Sequence, residues 1–549
     1  MYLNRGFFQK TPQKHPCFAA IIRGQPHESF THYYLHSKSK VMKTNFSEYQ
    51  KAIFNAVENN SCNLAINAVA GSGKTTTIVE ACKRLHLSRY DIKFLAFNNS
   101  IVKELQAKIG DYADVSTLHS AGYKVLQKVA GGKRFEINDR KYMNIIRDCN
   151  MLAINSDDDK KNSIKALNNA DRLFRLCRIN LIRHGETDKI ADIADEYSIV
   201  PLVNELQVVN ELLKDAYTLD LNDRLIIDFT DMLVLPLSYP KQIPTYKIVF
   251  IDECQDLSTA QRELMLRFAK GGRFIAVGDR RQAINGFAGA DCLSFDKIAN
   301  QQNTKELPLS VNYRCGKEII KLAQEIVPEI TAHEGAIEGS VETINKLELS
   351  TFKPNDMVLC RTSAPLVVMC LKLIRKGVTA VVKGRDIANG LISLIDKSKS
   401  KTIKGFISWS DVEKEKLAKD IAKKESMSIE EAKETGRYIA YCDRIDCILA
   451  IGENVSNLSA VKQQIDEMFN DSRLPNAVTF STAHKSKGLE ADRVLILLPE
   501  KLPLTWKGQQ DWEFQQEMNL KYVALTRAKK ELVFVNLSQS ALFQLEFEK

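Results

Sequence analysis

Apolar and polar positions along this chain form two textures that alternate. Short, nearly uninterrupted apolar runs occur at Leu64-Ala65-Ile66, Tyr246 to Ile251, Arg273 to Val277 and Glu531 to Val535. Runs this short and this continuous predict strands buried on both faces, as in a parallel sheet. Thr76 to Leu85, just after the first run, reads as a helix. Residues 124–222 carry Leu and Ile at helical spacing among many charges, and 386–474 form a second, more highly charged stretch. Strands alternating with helical segments predict an α/β protein. At 549 residues the chain exceeds what one hydrophobic core can organise.

Composition narrows the class. Apolar content of 44% and charged content of 26% are those of an ordinary globular protein, and no apolar stretch is long enough to cross a membrane. The twelve cysteines are scattered singly with no Cys-x-x-Cys pair, which argues against zinc or iron–sulfur ligation and fits a reducing, cytoplasmic setting. The net charge of +9 is concentrated at the start of the sequence. Residues 1–41 hold six Lys/Arg against one acid, Glu28, which leaves 71 of the 77 bases against 67 of the 68 acids elsewhere. Net charge is therefore weak evidence for nucleic-acid binding by the folded body. Residues 1–41 also carry four of the nine histidines in irregular spacing, and read as a disordered basic extension. Met42 stands directly before the first motif, and translation is expected to be able to start there.

The most informative segment is Ala68-Val69-Ala70-Gly71-Ser72-Gly73-Lys74-Thr75, set between an apolar run and a helical stretch. Strand, glycine-rich loop and helix are the context of a phosphate-binding loop. Small residues at Ala70, Gly71, Ser72 and Gly73 let backbone N–H groups close around a triphosphate, and the helix N-terminus adds its dipole. Lys74 would reach the β/γ-phosphates, while Thr75, followed by Thr76, would ligate Mg²⁺. Ala68 stands where the usual pattern has its first glycine.

The run ending at Ile251 is followed by Asp252-Glu253, two carboxylates at the tip of a buried strand, where a doubly wound sheet places its ligands. Asp252 would hold Mg²⁺ and Glu253 would polarise an attacking water. The run ending at Val277 leads through Gly278-Asp279 to Gln282, a neutral amide suited to sensing a γ-phosphate.

Further segments resemble the UvrD/Rep/PcrA-type helicases of superfamily 1. Phe46-Ser47-Glu48-Tyr49-Gln50 is similar to the family's adenine-reading segment, with Gln50 on the base edge. Ala96-Phe97-Asn98-Asn99-Ser100 and Ser116-Thr117-Leu118-His119-Ser120 resemble its first DNA-contact motifs. Ile227-Asp228-Phe229-Thr230-Asp231-Met232-Leu233 matches a further segment, and Asp252-Glu253-Cys254-Gln255-Asp256 its acidic motif. Leu309 to Arg314 resembles the motif opening the second motor domain, where the resemblance has Tyr313 stack on adenine and Arg314 reach the γ-phosphate. Ser481 to Glu490 and Tyr522 to Ala528 complete the set, bringing Thr482 and His484 to DNA, Glu490 to the nucleotide and Arg527 to the γ-phosphate. Phe-Asn-x-Ser-Ile-x-Lys around 97–103 leans toward the F-box DNA helicase subgroup, though no F-box is apparent.

The resemblance implies two RecA-like P-loop NTPase domains, each with a mostly helical insertion. The expected boundaries are 42–123 with 223–314 for the first motor domain, 124–222 for its insertion, 315–385 with 475–549 for the second, and 386–474 for its shorter insertion. It implies ATP and Mg²⁺, single-stranded and duplex DNA, and 3′-to-5′ translocation with unwinding in a DNA-associated, cytoplasmic setting without membrane. No fused nuclease is expected after the last strand. One departure matters: where the family runs from its Gln through a tyrosine to an aromatic and an arginine, this chain reads Gln282-Ala283-Ile284-Asn285-Gly286-Phe287-Ala288. Phe287 keeps one aromatic for base stacking, while Asn285 and Ala288 weaken two strand contacts. That departure motivates the first of two alternatives to a processive helicase. One is an ATP-switched subunit of a repair or phage-defence complex, with a nuclease or repair factor as partner. The other is an RNA helicase, which the motif spacing disfavours.

Overall fold

The computed structural model describes residues 46–148, 152, 160–197, 199, 204–220, 225–286, 289, 291, 293–453, 455, 457–469 and 474–547. The basic extension at 1–41 and the proposed stacking residue Phe287 lie outside them. Ser47–Lys549 forms one compact unit, to which everything below belongs.

Two six-stranded sheets, each wholly parallel, organise that unit. The first runs in the order Asp114–Thr117, Ile92–Ala96, Ile248–Ile251, Arg273–Gly278, Asn63–Ala68, Thr304–Leu309. The second runs Ser340–Ile344, Ala528–Val535, Ala491–Leu497, Met357–Cys360, Val478–Thr482, Ala380–Val382. All four apolar runs are strands: all of Ile248–Ile251 is buried, and Phe94 stacks on Phe250 at 5.5 Å. The helix expected from Thr76 begins two residues earlier, at Lys74–Lys83. Gly73 takes φ 76°, a left-handed turn that glycine adopts without strain, and it points the chain into the helix at Lys74.

Both charged helical stretches interrupt these sheets. Helices Leu118–Val129, Lys141–Asp148, Lys160–Ile179, Thr187–Glu196 and Glu205–Asp215 lie between the strands Asp114–Thr117 and Ile248–Ile251. Their apolar faces, through Phe174, Val209 and Leu213, join the same buried cluster as Leu95 and Ile251 of the sheet. A polar fastener closes the seam. Arg178, fully buried, pairs with Asp228 at 2.8 Å and with Asp231, which also accepts from Lys141 at 3.0 Å and from the Tyr142 hydroxyl at 3.2 Å.

Helices Arg385–Ser398, Ile403–Lys424, Ile429–Lys433, Gly436–Gly452 and Leu458–Met468 sit between Ala380–Val382 and Val478–Thr482. Leu391, Ile448 and Val461 share a core with Val358 and Phe480. Asp443 on Gly436–Gly452 accepts from the backbone N–H groups of Ser363 and Ala364, both at 2.9 Å, at the N-terminus of the helix Ala364–Arg375. A third cluster joins the two sheets: Val69, Ala70 and Ile284 pack with Ile319, Leu520 and Tyr522.

Candidate nucleotide and nucleic-acid site

Because every strand of the first sheet is parallel, the C-terminal tips of all six lie on one edge, and the loops there converge. The phosphate loop leaves Asn63–Ala68, Asp252 leaves Ile248–Ile251, and Asp279 leaves Arg273–Gly278. Thr75 Oγ1 donates to Asp252 Oδ2 at 3.1 Å, and Lys74 Nζ lies 3.3 Å from Glu253 Oε1. Glu253 itself has φ 54°, a conformation worth roughly 1–2 kcal/mol of strain for a residue with a Cβ. The pairing with Lys74 and a bond from Gln255 Nε2 to Glu253 Oε2 at 2.6 Å hold it there.

The electrostatics follow from burial and crowding. Desolvation works to lower the Lys74 pKa, but Glu253, Asp279 and Asp252 outweigh it and hold the ammonium above its ordinary value. Burial, then the neighbouring Glu253 charge, pushes Asp252 up from the usual carboxylate range. Burial opposes ionisation of Glu253 too, but Lys74 and Lys487 override it and hold the carboxyl low. Burial also raises Asp279. Three carboxylates around one ammonium leave an excess of negative charge that a hard divalent cation would balance. Ser72 Oγ is buried with no hydrogen-bond partner in the middle of the loop, an orphaned donor where a phosphate oxygen fits.

The second sheet and the segment leading to it close over this loop. Tyr313 N–H donates to Gly71 O at 2.9 Å, Asn312 Nδ2 to Ala70 O at 2.6 Å, and Ala70 N–H to the Tyr522 hydroxyl at 2.8 Å. A Cβ on Gly71 would lie 2.8 Å from the Arg314 Cβ, so only glycine permits this approach. Arg314 pairs with Glu490 at 2.7 Å, and Glu490 also with Lys529 at 2.6 Å. Arg527 is 2% exposed; it donates to Val523 O, Leu489 O and Thr526 Oγ1, and among the described residues no carboxylate pairs with it. Burial, with the Arg314 charge adding to it, lowers it to about 10. Tyr313, 40% exposed, stacks at a tilt on His333 at 4.9 Å. Gln50 is buried beside the loop, with Nε2 donating to Thr77 Oγ1 at 3.0 Å and Oε1 accepting from Ser47 N–H. Thr76 is exposed on the helix's first turn. Gln282 Nε2 donates to Asp279 Oδ2 at 2.7 Å, one residue removed from Lys74.

The residues expected at DNA occupy the same edge of their sheets. Asn98 Oδ1 caps the helix Asn99–Ile109 through Ile101 N–H at 3.0 Å, and Thr117 Oγ1 caps Leu118–Val129 through Ser120 N–H at 3.1 Å. Thr482 Oγ1 accepts from Lys485 N–H at 3.3 Å in the second sheet. Phe97 is exposed, and His119 meets Phe229 edge-on at 6.4 Å between ring centroids. His484 is half-buried; desolvation, then Arg361 and Lys485, lowers it to about 3, so it is neutral.

Several participants were not legible in the sequence as site residues: Phe229, Asp256, Lys487, Asn519 and Tyr522. Each stands inside or beside a quoted motif, yet its role depends on contacts across the cleft between the sheets. Phe229 is 51% exposed because Asp228 and Asp231, its acidic neighbours, turn inward to Arg178.

Paired parallel sheets with a phosphate loop at the tip of one define an ATP-binding protein with two RecA-like domains. Comparison with known proteins agrees. Residues 49–303 match the UvrD/REP helicase N-terminal domain, and residues 374–539 the UvrD-like helicase C-terminal domain. The chain is 23% identical over 532 residues to F-box DNA helicase protein 1 of Schizosaccharomyces pombe, covering 88% of this chain and 56% of that one. It is 28% identical over 297 residues to ATP-dependent DNA helicase PcrA of Staphylococcus aureus, covering 50% of this chain and 39% of the relative. The PcrA of Staphylococcus epidermidis is 24% identical, with 87% and 82% covered. The chain belongs to the UvrD/Rep family of superfamily 1 helicases. It spans about half the length of the first of these relatives and about two fifths of the second.

Proposed function

We propose that this protein is an ATP-dependent DNA helicase that translocates 3′ to 5′ on a single strand and displaces the complementary one. The observation that carries this reading is the closed cleft, in which Tyr522, Asn312, Tyr313 and Arg314 from beyond the first sheet grip the phosphate loop. Hydrolysis in such a cleft changes how two strand-binding bodies meet, which is what a stepping motor needs. The two bodies are 42–123 with 223–314 and 315–385 with 475–549, with 124–222 and 386–474 as their insertions.

In this reading Ala70 to Thr76 cradle the triphosphate, with Gln50 at the base edge, Tyr313 on its face and Glu490 on the sugar side. Thr75 and Asp252 would hold Mg²⁺, which would supply positive charge to offset that of the phosphates. Glu253 accepts a proton from water as the water oxygen bonds to the γ-phosphorus and the bond from that phosphorus to the ADP oxygen breaks. Lys74, Arg314 and Arg527 offset the spread negative charge, and Gln282 senses the γ-phosphate. Arg527, buried among carbonyls without a carboxylate, is a charge that a phosphate would complete. Phe97, His119, Thr482 and His484 face the strand, with Phe287 as a stacking residue, and the helices capped by Asn98 and Thr117 offer their N–H ends to phosphates. Phe229, exposed beside His119, adds a stacking face.

The test is the steady-state ATPase rate with and without a single-stranded DNA oligonucleotide, beside Glu253→Gln. DNA-stimulated turnover in the wild type, lost by a factor of about 10² or more in the variant, is the expected result. Turnover indifferent to DNA would refute the motor reading. Phe229→Ala should weaken oligonucleotide binding about tenfold, the effect of one lost base stack, and unchanged affinity would remove it from the strand path. The partner-dependent ATPase subunit remains the second reading, because Asn285 turns inward to Asp256 rather than outward to a strand.

A further inference from the structure

The loop after the first sheet's Arg273–Gly278 strand is held from two sides. From the second sheet, Lys487 Nζ donates to Gln282 O at 2.7 Å and Asn519 Nδ2 to Ala283 O at 3.0 Å. From its own sheet, Asn285 Nδ2 donates to Asp256 Oδ1 at 3.1 Å. Asp256 is 5% exposed, and its other oxygen receives Lys487 Nζ and Gln255 Nε2, the latter at 3.2 Å. The same Gln255 amide reaches Glu253 Oε2, and Gln255 Oε1 accepts from Asp279 N–H at 3.1 Å. One buried carboxylate thus joins the loop, the second sheet and the acid that faces Lys74.

We propose that Asn285 is a positioning residue that couples strand engagement at the 282–286 loop to hydrolysis at Glu253, acting through its hydrogen bond to Asp256. The proposal rests on the DNA-dependent ATPase reading above. A buried carboxylate is sensitive to each donor it keeps, because an unmet lone pair there is expensive and water cannot replace the donor. When the sheets part, Lys487 leaves Asp256 while Asn285, on the same side of the cleft, stays. Asn285 then sets where the Asp256 carboxylate points, and with it the Gln255 amide and the Glu253 oxygen that amide holds. A strand that shifts the loop moves Asn285 and so reorients the chain of bonds. Gly286 keeps the loop within reach of the second sheet: a Cβ there would fall 1.9 Å from Gln516 Nε2 and 3.2 Å from the Trp512 ring. The departure at Asn285 is, in this view, the exchange of an outward stacking group for an inward coupling group.

The experiment compares wild type with Asn285→Ala, Asn285→Asp and Asn285→Gln in the full chain, measuring ATPase kcat and KM with and without a single-stranded oligonucleotide. For Ala and Asp the DNA stimulation ratio, kcat with oligonucleotide over kcat without it in the same variant, is expected to fall about fivefold or more. Asp is the decisive variant, since it keeps the shape of Asn but sets a carboxylate against Asp256. Gln, which retains the donor, should keep more than half of the stimulation. Stimulation in Asn285→Asp equal to wild type would overturn the coupling role while leaving the DNA-dependent ATPase intact. A wild type without stimulation would overturn the underlying function, and the coupling role with it.

Discussion

His484 shows how burial turns a residue into a measurable device. Desolvation is the largest influence on it, with Arg361 and Lys485 adding repulsion, so its folded pKa of about 3 stands far below the ordinary 6.5. The folded chain keeps this imidazole neutral, whereas the unfolded chain protonates it below about 6.5. Its contribution to stability is therefore complete above that value and declines as pH falls toward 3. Between pH 7.5 and 5.5 the wild type should lose about 1 kcal/mol more folding stability than His484→Gln, read from urea unfolding at both values. Equal losses would mean the imidazole is solvated. The sequence placed His484 in a DNA-contact motif by resemblance, while the glycine-rich loop marked Lys74 and the acidic strand tip marked Asp252 and Glu253. Neutrality at His484 was not legible, because it comes first from burial in the fold and then from the charges of Arg361, more than a hundred positions away, and Lys485. Asn285 shows the converse: the residue type was legible as a departure, but its inward direction was set by Asp256.

At the scale of elements, apolar continuity was enough to find the strands. Ile248–Ile251 and Arg273–Gly278 are buried on both faces, so their patterns carry no alternation and resist misreading. Helix Lys74–Lys83 started earlier than its apolar pattern suggested because Gly73 decides the boundary through its backbone, not its hydropathy. Less legible was how the long helical stretch at 124–222 attaches. Its anchor is Arg178, fully buried on Lys160–Ile179 and answered by Asp228 and Asp231 from the 227–233 segment, which the sequence marked only by family resemblance. Arg178→Met should destabilise the protein by about 3–5 kcal/mol, since it removes the guanidinium that both buried aspartates share and leaves Asp228 without the cation it pairs with. Adding Asp228→Asn and Asp231→Asn should recover part of that loss. A single-variant cost under about 1 kcal/mol in urea unfolding would show that apolar packing alone holds the insertion.

At the scale of the molecule, what matters is a set of contacts between residues far apart in the chain, and pattern along the sequence says nothing about them. Ala70 N–H and the Tyr522 hydroxyl lie 452 positions apart and 2.8 Å from one another. Tyr522 is fully buried, with Val69, Ala70 and Ile284 of the first sheet's loops in the same apolar cluster. This hydrogen bond crosses the closed cleft; a form with the sheets apart would hydrate both groups, and the bond's loss there would cost little. Tyr522→Phe keeps the ring and removes the acceptor, which leaves Ala70 N–H an orphan in the closed state alone. The penalty for a buried unmet donor is about 1–3 kcal/mol, so ATP affinity, which depends on closure, should fall about five- to hundredfold. Thermal unfolding of the nucleotide-free protein should move by only a few degrees, because the open form shelters it from the loss. An unchanged KM for ATP would show that closure does not draw on this contact. A large fall in thermal stability with unchanged KM would instead place Tyr522 in a permanent core and make the two sheets a single rigid body.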